Sequence, residues 1–288
     1  MNSRAFSGAE LQASQSKARL VVKPGESIQA AVDAAKPHQT ILIEPGTYRE
    51  AIVVDKPGLK LIGKKDPKGD GVVIENPGYK RNGIRVTDNG DGFRLARVTI
   101  KDFGYNGVLL TRVRGFEIFE VTTIDNGEYG LFPVHSSHGL IHHSSASGHS
   151  DTGIYVGKSE FVAIQHSTAH GNVNGFEIEN CSHVTAFNNT GYNNTAGMLV
   201  VLLPGLAIKV SSDIEIVHNR FFNNNLANFA DPDDIAAAVP KGSGILVVGT
   251  DNTRVMQNTV TGNDFVGIGV GSTLLLSALA GIPPEVIL

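Results

Sequence analysis

The 288 residues contain no tryptophan, three methionines and a single cysteine. With Cys181 alone, no internal disulfide can form, so the fold must rest on packing and hydrogen bonding. Charge is sparse as well. Lys and Arg total 24 against 28 Asp and Glu, a net charge of −4 that offers no electrostatic footprint for nucleic acid. No apolar run approaches the roughly 20 residues of a bilayer crossing, so no membrane span is expected. The apolar tail 274–288 is interrupted by Gly281, Pro283 and Pro284. Residues 1–20 lack the apolar core of a signal peptide and are expected to form a flexible N-terminal segment. Residues 273–288 are expected to be a C-terminal tail, or a cap that closes the last coil.

Glycine, in contrast, is abundant, at 33 residues. Gly83, Gly107, Gly130, Gly153, Gly175, Gly197, Gly244 and Gly267 recur at steps of 24, 23, 23, 22, 22, 47 and 23 residues. A fixed period of this size marks a solenoid in which each unit buries its apolar face only against its neighbours. Aligned on the glycine, GIRVT (83–87), GVLLT (107–111), GIYVG (153–157), GFEIE (175–179) and GILVV (244–248) place apolar, nearly always aliphatic, residues one and three positions later. That alternation predicts a strand with one buried face. A second alternating run, such as GFRLARVTI or GFEIFEVTTI, reads as one further strand per unit, followed by an Asn-, Gly-, Asp- and Ser-rich turn.

Asparagine falls into columns too. One is Asn189, Asn219 and Asn258, with His166 in the coil before; another is Asn126, His149, Gly171, Asn194, Asn224 and Asn263. An amide side chain both donates and accepts, so such columns can satisfy one another up a stack and are read as structural. Two segments leave the repeat. In residues 21–63, Ser27 can cap a short helix whose Ile28, Ala31, Val32 and Ala35 share one face, the pattern of an N-terminal amphipathic cap. The 47-residue step carries insertions near 203–212 and 226–243, and insertions in solenoids commonly land on the binding face. The domain is therefore expected to span 21–272, with its cap at 21–63.

With the 22–24-residue coils, the Asn-rich turns and the opening SIQAAVDAAKPHQTILIEPGTYREAIVVDKPGLKLIG, the chain resembles the pectin-lyase-like superfamily of right-handed parallel β-helices. The opening is similar to the capping segment of pectin methylesterases, copper-loading periplasmic β-helix proteins and mannuronan C5-epimerases. The resemblance implies an all-β, single-stranded right-handed parallel β-helix, a bacterial origin, a periplasmic or extracellular setting and a polysaccharide partner. A monomer is expected. The chain departs from the superfamily's catalytic signatures. It has no Trp for the esterase or pectate lyase motifs, no polygalacturonase aspartate set, and Phe-Pro-Val-His at 132–135 where one epimerase group has Asp-Pro-His-Asp.

Reading across the coils gives three outward columns. The first contains Arg85, Leu109, Phe132, Tyr155 and Glu177; the second contains Gly157, Glu179, Val201 and Val248; the third contains Arg112, His135 and Lys158. Strand spacing of about 4.8 Å makes neighbours in a column adjacent. These residue types suit chemistry on a uronate. Arg112 or Lys158 would neutralise the carboxylate, His135 or Lys158 would remove the neighbouring proton, and Tyr155 would supply the acid. Phe132, Glu177, Glu179, Arg85 and His138 are the candidate substrate-binding residues. A metal reading competes. His135, His138, His142, His143, His149, Asp151, His166 and His170 are dense but show no compact ligand spacing, whereas calcium would suit the oxygen donors Asp231, Asp233 and Asp234 or Glu177 and Glu179. Two functions stay open. One is a protein acting on or binding an acidic polysaccharide, as a uronate lyase or C5-epimerase. The other is a non-catalytic glycan-binding, metallochaperone-like or surface scaffold β-helix.

Overall fold

The computed structural model describes residues 20–65 and 71–287. Of the segment 1–20, all but Leu20 lies outside the described residues; Leu20 begins the first strand, Leu20–Val22. Three parallel sheets of ten, nine and nine strands run the length of the molecule. In each coil the chain passes through all three in turn. Asn106–Thr111, for example, lies in the glycine-led sheet, Glu117–Phe119 in the second and Thr122–Ile124 in the third. The next coil begins at Tyr129–Val134, which pairs in parallel with Asn106–Thr111.

Register follows the glycine period. Ile84, Val108, Leu131, Ile154, Phe176, Met198 and Ile245 face one another in successive strands, and all are buried in one continuous core. Each such side chain contributes roughly 1.5–3 kcal/mol by leaving water. None could do so without the adjacent coil.

The glycines are forced by the neighbouring backbone. A Cβ on Gly107 would lie 2.7 Å from the Gly130 carbonyl oxygen and 2.9 Å from Asn126 Nδ2; on Gly175 it would lie 2.7 Å from the Gly197 oxygen and 2.8 Å from Asn194 Nδ2. Glycine and asparagine are thus two sides of one joint. In the asparagine column the backbone N–H of Asn172 donates to Asn194 Oδ1 at 3.0 Å, that of Asn194 to Asn224 at 3.2 Å, and that of Asn224 to Asn263 at 3.0 Å. Asn172, not Gly171, is the member of this column. Gly171 takes a left-handed turn with φ of 69°. In the other column Ser167, not His166, precedes Asn189, its N–H donating to Asn189 Oδ1. His166 instead meets Asn188 at 2.8 Å.

The second alternating run is two strands. Arg94–Ala96 and Val98–Lys101 are separated by Arg97, whose φ is 59°, and Glu120, His143, His166, Asn188 and His218 repeat that left-handed corner. The residue after the corner points inward again, as buried Val121 does, so the alternation runs through the bend unbroken.

Helix Ile28–Ala34 forms as its pattern predicts. Ser27 Oγ accepts from the Ala30 N–H at 3.1 Å, and Glu50 accepts from the N–H groups of Ile28 and Gln29. Ile28 and Val32 are buried against strands Leu20–Val22, Thr40–Ile43 and Ile52–Val54. At the other end, helix Leu274–Ala280 does not close the last coil. It packs Leu276 onto Val201 and Val248 on the outer face of the glycine-led sheet. Ile268 and Val270 of the last strand, in register with Ile245 and Val247, stay 49% and 79% exposed. Among the described residues, no helix is long and apolar enough to cross a membrane.

Candidate functional site

The outer face of the glycine-led sheet carries the first two columns as read from the sequence. Leu109 pairs with Phe132, Tyr155 with Glu177, Glu177 with Leu199 and Leu199 with Leu246, while Gly157 pairs with Glu179 and Glu179 with Val201. The face is divided. Arg85 is exposed, and Leu109 and Phe132 are partly so. Beyond them, Tyr155, Glu177 and Glu179 are 2%, 6% and 7% exposed. The covering comes from three places: Leu203 of the first insertion, the 3-10 turn Ile235–Ala238 of the second, and helix Leu274–Ala280. Asn180 fastens the first insertion, donating to the carbonyls of Leu203 and Ile208 and accepting from the Leu203 N–H. The second insertion contributes one wall through its 3-10 turn. The C-terminal helix as a roof has no signal in the repeat pattern, because its contacts are with residues far away in sequence.

Arg112, His135 and Lys158 sit at the corner where this sheet ends, all in left-handed backbone with φ of 56°, 52° and 51°. The backbone N–H of Arg112 donates to Val134 and that of His135 to Gly157, so the three stack one coil apart. Arg112 and His135 are exposed. Partial burial, reinforced by the positive charges of Lys158 and Arg112, holds the His135 imidazole below its ordinary pKa. Lys158 is more enclosed. Its ammonium pairs with Glu179 and reaches the Tyr155 hydroxyl at 3.3 Å, and that hydroxyl donates to Glu179 at 3.0 Å. Burial above all, and then Glu179 and Glu177, push the Tyr155 phenol well above its usual pKa. Phe132 lies between Tyr129 and Tyr155, with ring centroids 4.2 and 4.4 Å away.

Under the roof lies a group that the columns did not single out as a unit. Thr152 Oγ1 is 2.9 Å from Asp151 Oδ1 and 2.5 Å from Glu177 Oε2. One hydroxyl hydrogen is set between two buried carboxyls, an arrangement that favours a proton on one of them. Burial is the chief cause that raises Asp151 to about 7 and lifts Glu177 well above the carboxylate range. Tyr129 donates to Asp151. By its sequence pattern alone, Asp151 figures only among possible metal ligands.

His138 does not join the site. It lies on the second sheet beside Arg114 and Phe161. His149 is a member of the asparagine column: its Nδ1–H donates to the Asn126 carbonyl, and its Nε2 accepts from Thr123. Burial lowers it to about 4. Asp231 accepts from the Asp233 N–H, and Asp234 caps the 3-10 turn through the Ala236 N–H. Among the described residues, no three His, Cys, Asp or Glu side chains converge to hold a metal ion.

The sequence matches the family described as right handed beta helix region over residues 65–203. No curated protein sequence matches the chain. Among solved structures, it is similar to the A-module of a mannuronan C-5 epimerase from Azotobacter vinelandii, at 19% identity and a TM-score of 0.70, covering 85% of this chain and 69% of that one. It is also similar to an alginate lyase from Paenibacillus, at 15% identity and a TM-score of 0.54, covering 88% and 99% of the two chains. A pectin methylesterase from carrot superposes with a TM-score of 0.51 at 13% identity, covering 88% of this chain and 86% of its own. At such identities the likeness is one of fold. The chain folds as a right-handed parallel β-helix, the architecture it shares with these neighbours.

Proposed function

We propose that this protein acts on or binds an acidic polysaccharide along the open part of the glycine-led face, between Arg85 and the corner formed by Arg112, His135 and Lys158. The observation that carries this reading is the state of that corner. An imidazole whose pKa is held below its ordinary value stands between two cations at the end of the strand that carries the partly exposed Phe132. Arg112 is exposed, and its fork suits a uronate carboxylate. Neutralising that carboxylate acidifies the adjacent C5–H, and His135 is placed to accept the proton. In a lyase, the C5–H and C4–O bonds then break, a C4–C5 double bond forms, and the leaving oxygen takes a proton. In a C5-epimerase, the proton returns to the opposite face of C5. Lys158, locked to Glu179 and Tyr155, sets the field at His135 instead of acting as the base. The structural neighbours named as epimerase and alginate lyase support the substrate class. A polysaccharide ligand is consistent with a periplasmic or extracellular setting.

A second reading is favoured by one observation. The Tyr155 phenol, the acid proposed from the sequence, is 2% exposed and donates to Glu179. Without a surface acid, the same corner would bind a polyuronate without turning it over. Incubation with polymannuronate, alginate and pectate separates the readings. Ultraviolet absorbance of an unsaturated uronate identifies the lyase, and solvent-hydrogen exchange at C5 without absorbance identifies the epimerase. Binding with neither supports the second reading. Failure to bind any polyuronate overturns both.

A further inference from the structure

The roofed half of the same face holds a different kind of site. Three carboxyls line or floor this cleft: Asp151, Glu177 and Glu179. Among the described residues, only Glu179 of the three is paired with a cation, the Lys158 ammonium. Asp151 is faced by Tyr129, Thr152, Glu128 and, from the roof, Asp234; Glu177 is faced by Thr152, Asn174, Asp151 and Glu179. Every one of these groups is neutral or acidic. Beside them is Asn174, 1% exposed, which donates to Glu177 Oε2 at 3.3 Å. Its carbonyl oxygen Oδ1 is buried with no hydrogen-bond partner among the described residues. A buried acceptor left unpaired costs about 1–3 kcal/mol, so an orphan that lines a cleft marks where a donor belongs.

The remaining walls are apolar, including Leu199, Leu246, Ile235, Leu276 and Leu279. The free interior is small, about 60 Å³, where a single water takes roughly 10–15 Å³. A group that meets two carboxyls and an amide oxygen must bring several donors and a positive charge. One that meets the walls must carry only a short apolar body. We infer that this cleft binds a primary ammonium group borne on a short alkyl chain, with Asp151, Glu177 and Asn174 Oδ1 receiving its hydrogens. Lys158 on Glu179 is the internal precedent, an alkylammonium already seated on the neighbouring carboxylate. The proton that Asp151 and Glu177 hold between them is displaced to solvent as the cation arrives. Binding is therefore accompanied by proton release.

Isothermal titration of the full chain with n-propylammonium, and with propan-1-ol as its uncharged counterpart, tests this at neutral pH in two buffers of different ionisation enthalpy. The amine is expected to bind with a heat that depends on the buffer, reporting about one proton released, while propan-1-ol does not bind. Glu177→Gln, checked for folding by circular dichroism, should weaken the amine at least tenfold. The inference is overturned if propan-1-ol binds as well as the amine, if the amine gives no heat at millimolar concentration, or if folded Glu177→Gln binds like the native chain. Displacement of the amine by stoichiometric Ca²⁺ would also overturn it, by assigning these oxygens to a metal. Should Glu177→Gln not fold, the native protein decides alone, and binding without proton release refutes the site. None of these outcomes depends on polyuronate binding at the open corner.

Discussion

Replacing Gly130 with alanine tests what imposes the 22–24-residue rhythm. A Cβ there would meet the Gly153 carbonyl oxygen at 2.4 Å, Thr123 Oγ1 at 2.4 Å and His149 Nε2 at 2.8 Å. The first is backbone, held by the next coil. The other two are a buried pair hydrogen-bonded to each other at 3.2 Å. Overpacking of this kind costs about 1–3 kcal/mol. Parting Thr123 from His149 leaves buried groups unpaired, for about 1–3 kcal/mol more. The sum is about 4 kcal/mol, or roughly a 10 °C fall in Tm for a chain of this size. Gly267→Ala is the matched control, because among the described residues its strand is the last in the sheet. Its Cβ would meet only Val260 Cγ1, at 3.9 Å. With that space available, the variant should gain about 0.5 kcal/mol from a less flexible unfolded chain. Guanidinium unfolding followed by far-ultraviolet circular dichroism measures both. If Gly130→Ala falls within about 1 kcal/mol of Gly267→Ala, the carbonyl ladder is not what demands glycine.

Two further perturbations act on the site and its support. Lys158→Asn keeps a residue tolerant of the left-handed corner but leaves Glu179, with a side chain 9% exposed, without its cation. Stability at neutral pH should fall by about 3 kcal/mol, and the double variant Lys158→Asn/Glu179→Gln should recover most of it in denaturant titrations. His149 titrates at about 4 in the fold against 6.5 ordinarily, so the unfolded chain takes the proton first. Its contribution is complete above pH 6.5 and is lost as pH falls toward 4, a loss of about 3 kcal/mol. His149→Asn, which continues the asparagine column, should flatten that part of the stability–pH curve. An unchanged slope would place the titrating group elsewhere.

The fold was legible because it depends on local periodicities. The glycine steps set the coil, and from Gly83 to Gly244 the residue after each glycine lies in the observed core, whereas Ile268 and Val270 after Gly267 stay exposed. The outward columns, extended by the same arithmetic, match the observed register from Leu109 to Leu246. What the columns could not reveal was depth. Tyr155, Glu177 and Glu179 point outward as expected, yet are buried, because helix Leu274–Ala280 and the turn at 235–238 come back over them. A period of 23 carries no information about a segment outside the repeat. The corners at Arg97 and Glu120 were hidden for a different reason: a left-handed residue turns the chain without interrupting the alternation.

The central claim is that the open corner recognises carboxylated sugars through Arg112. Affinity electrophoresis in gels containing polymannuronate, with a neutral glucan as reference, measures this for the native protein and for Arg112→Asn, a residue that tolerates the corner's φ of 56°. Retardation should be specific to the polyuronate, weaken with added salt, and drop about tenfold in Arg112→Asn, the loss of one charge-assisted contact. Equal retardation by the neutral glucan, or an Arg112→Asn variant that binds like the native chain, would contradict it.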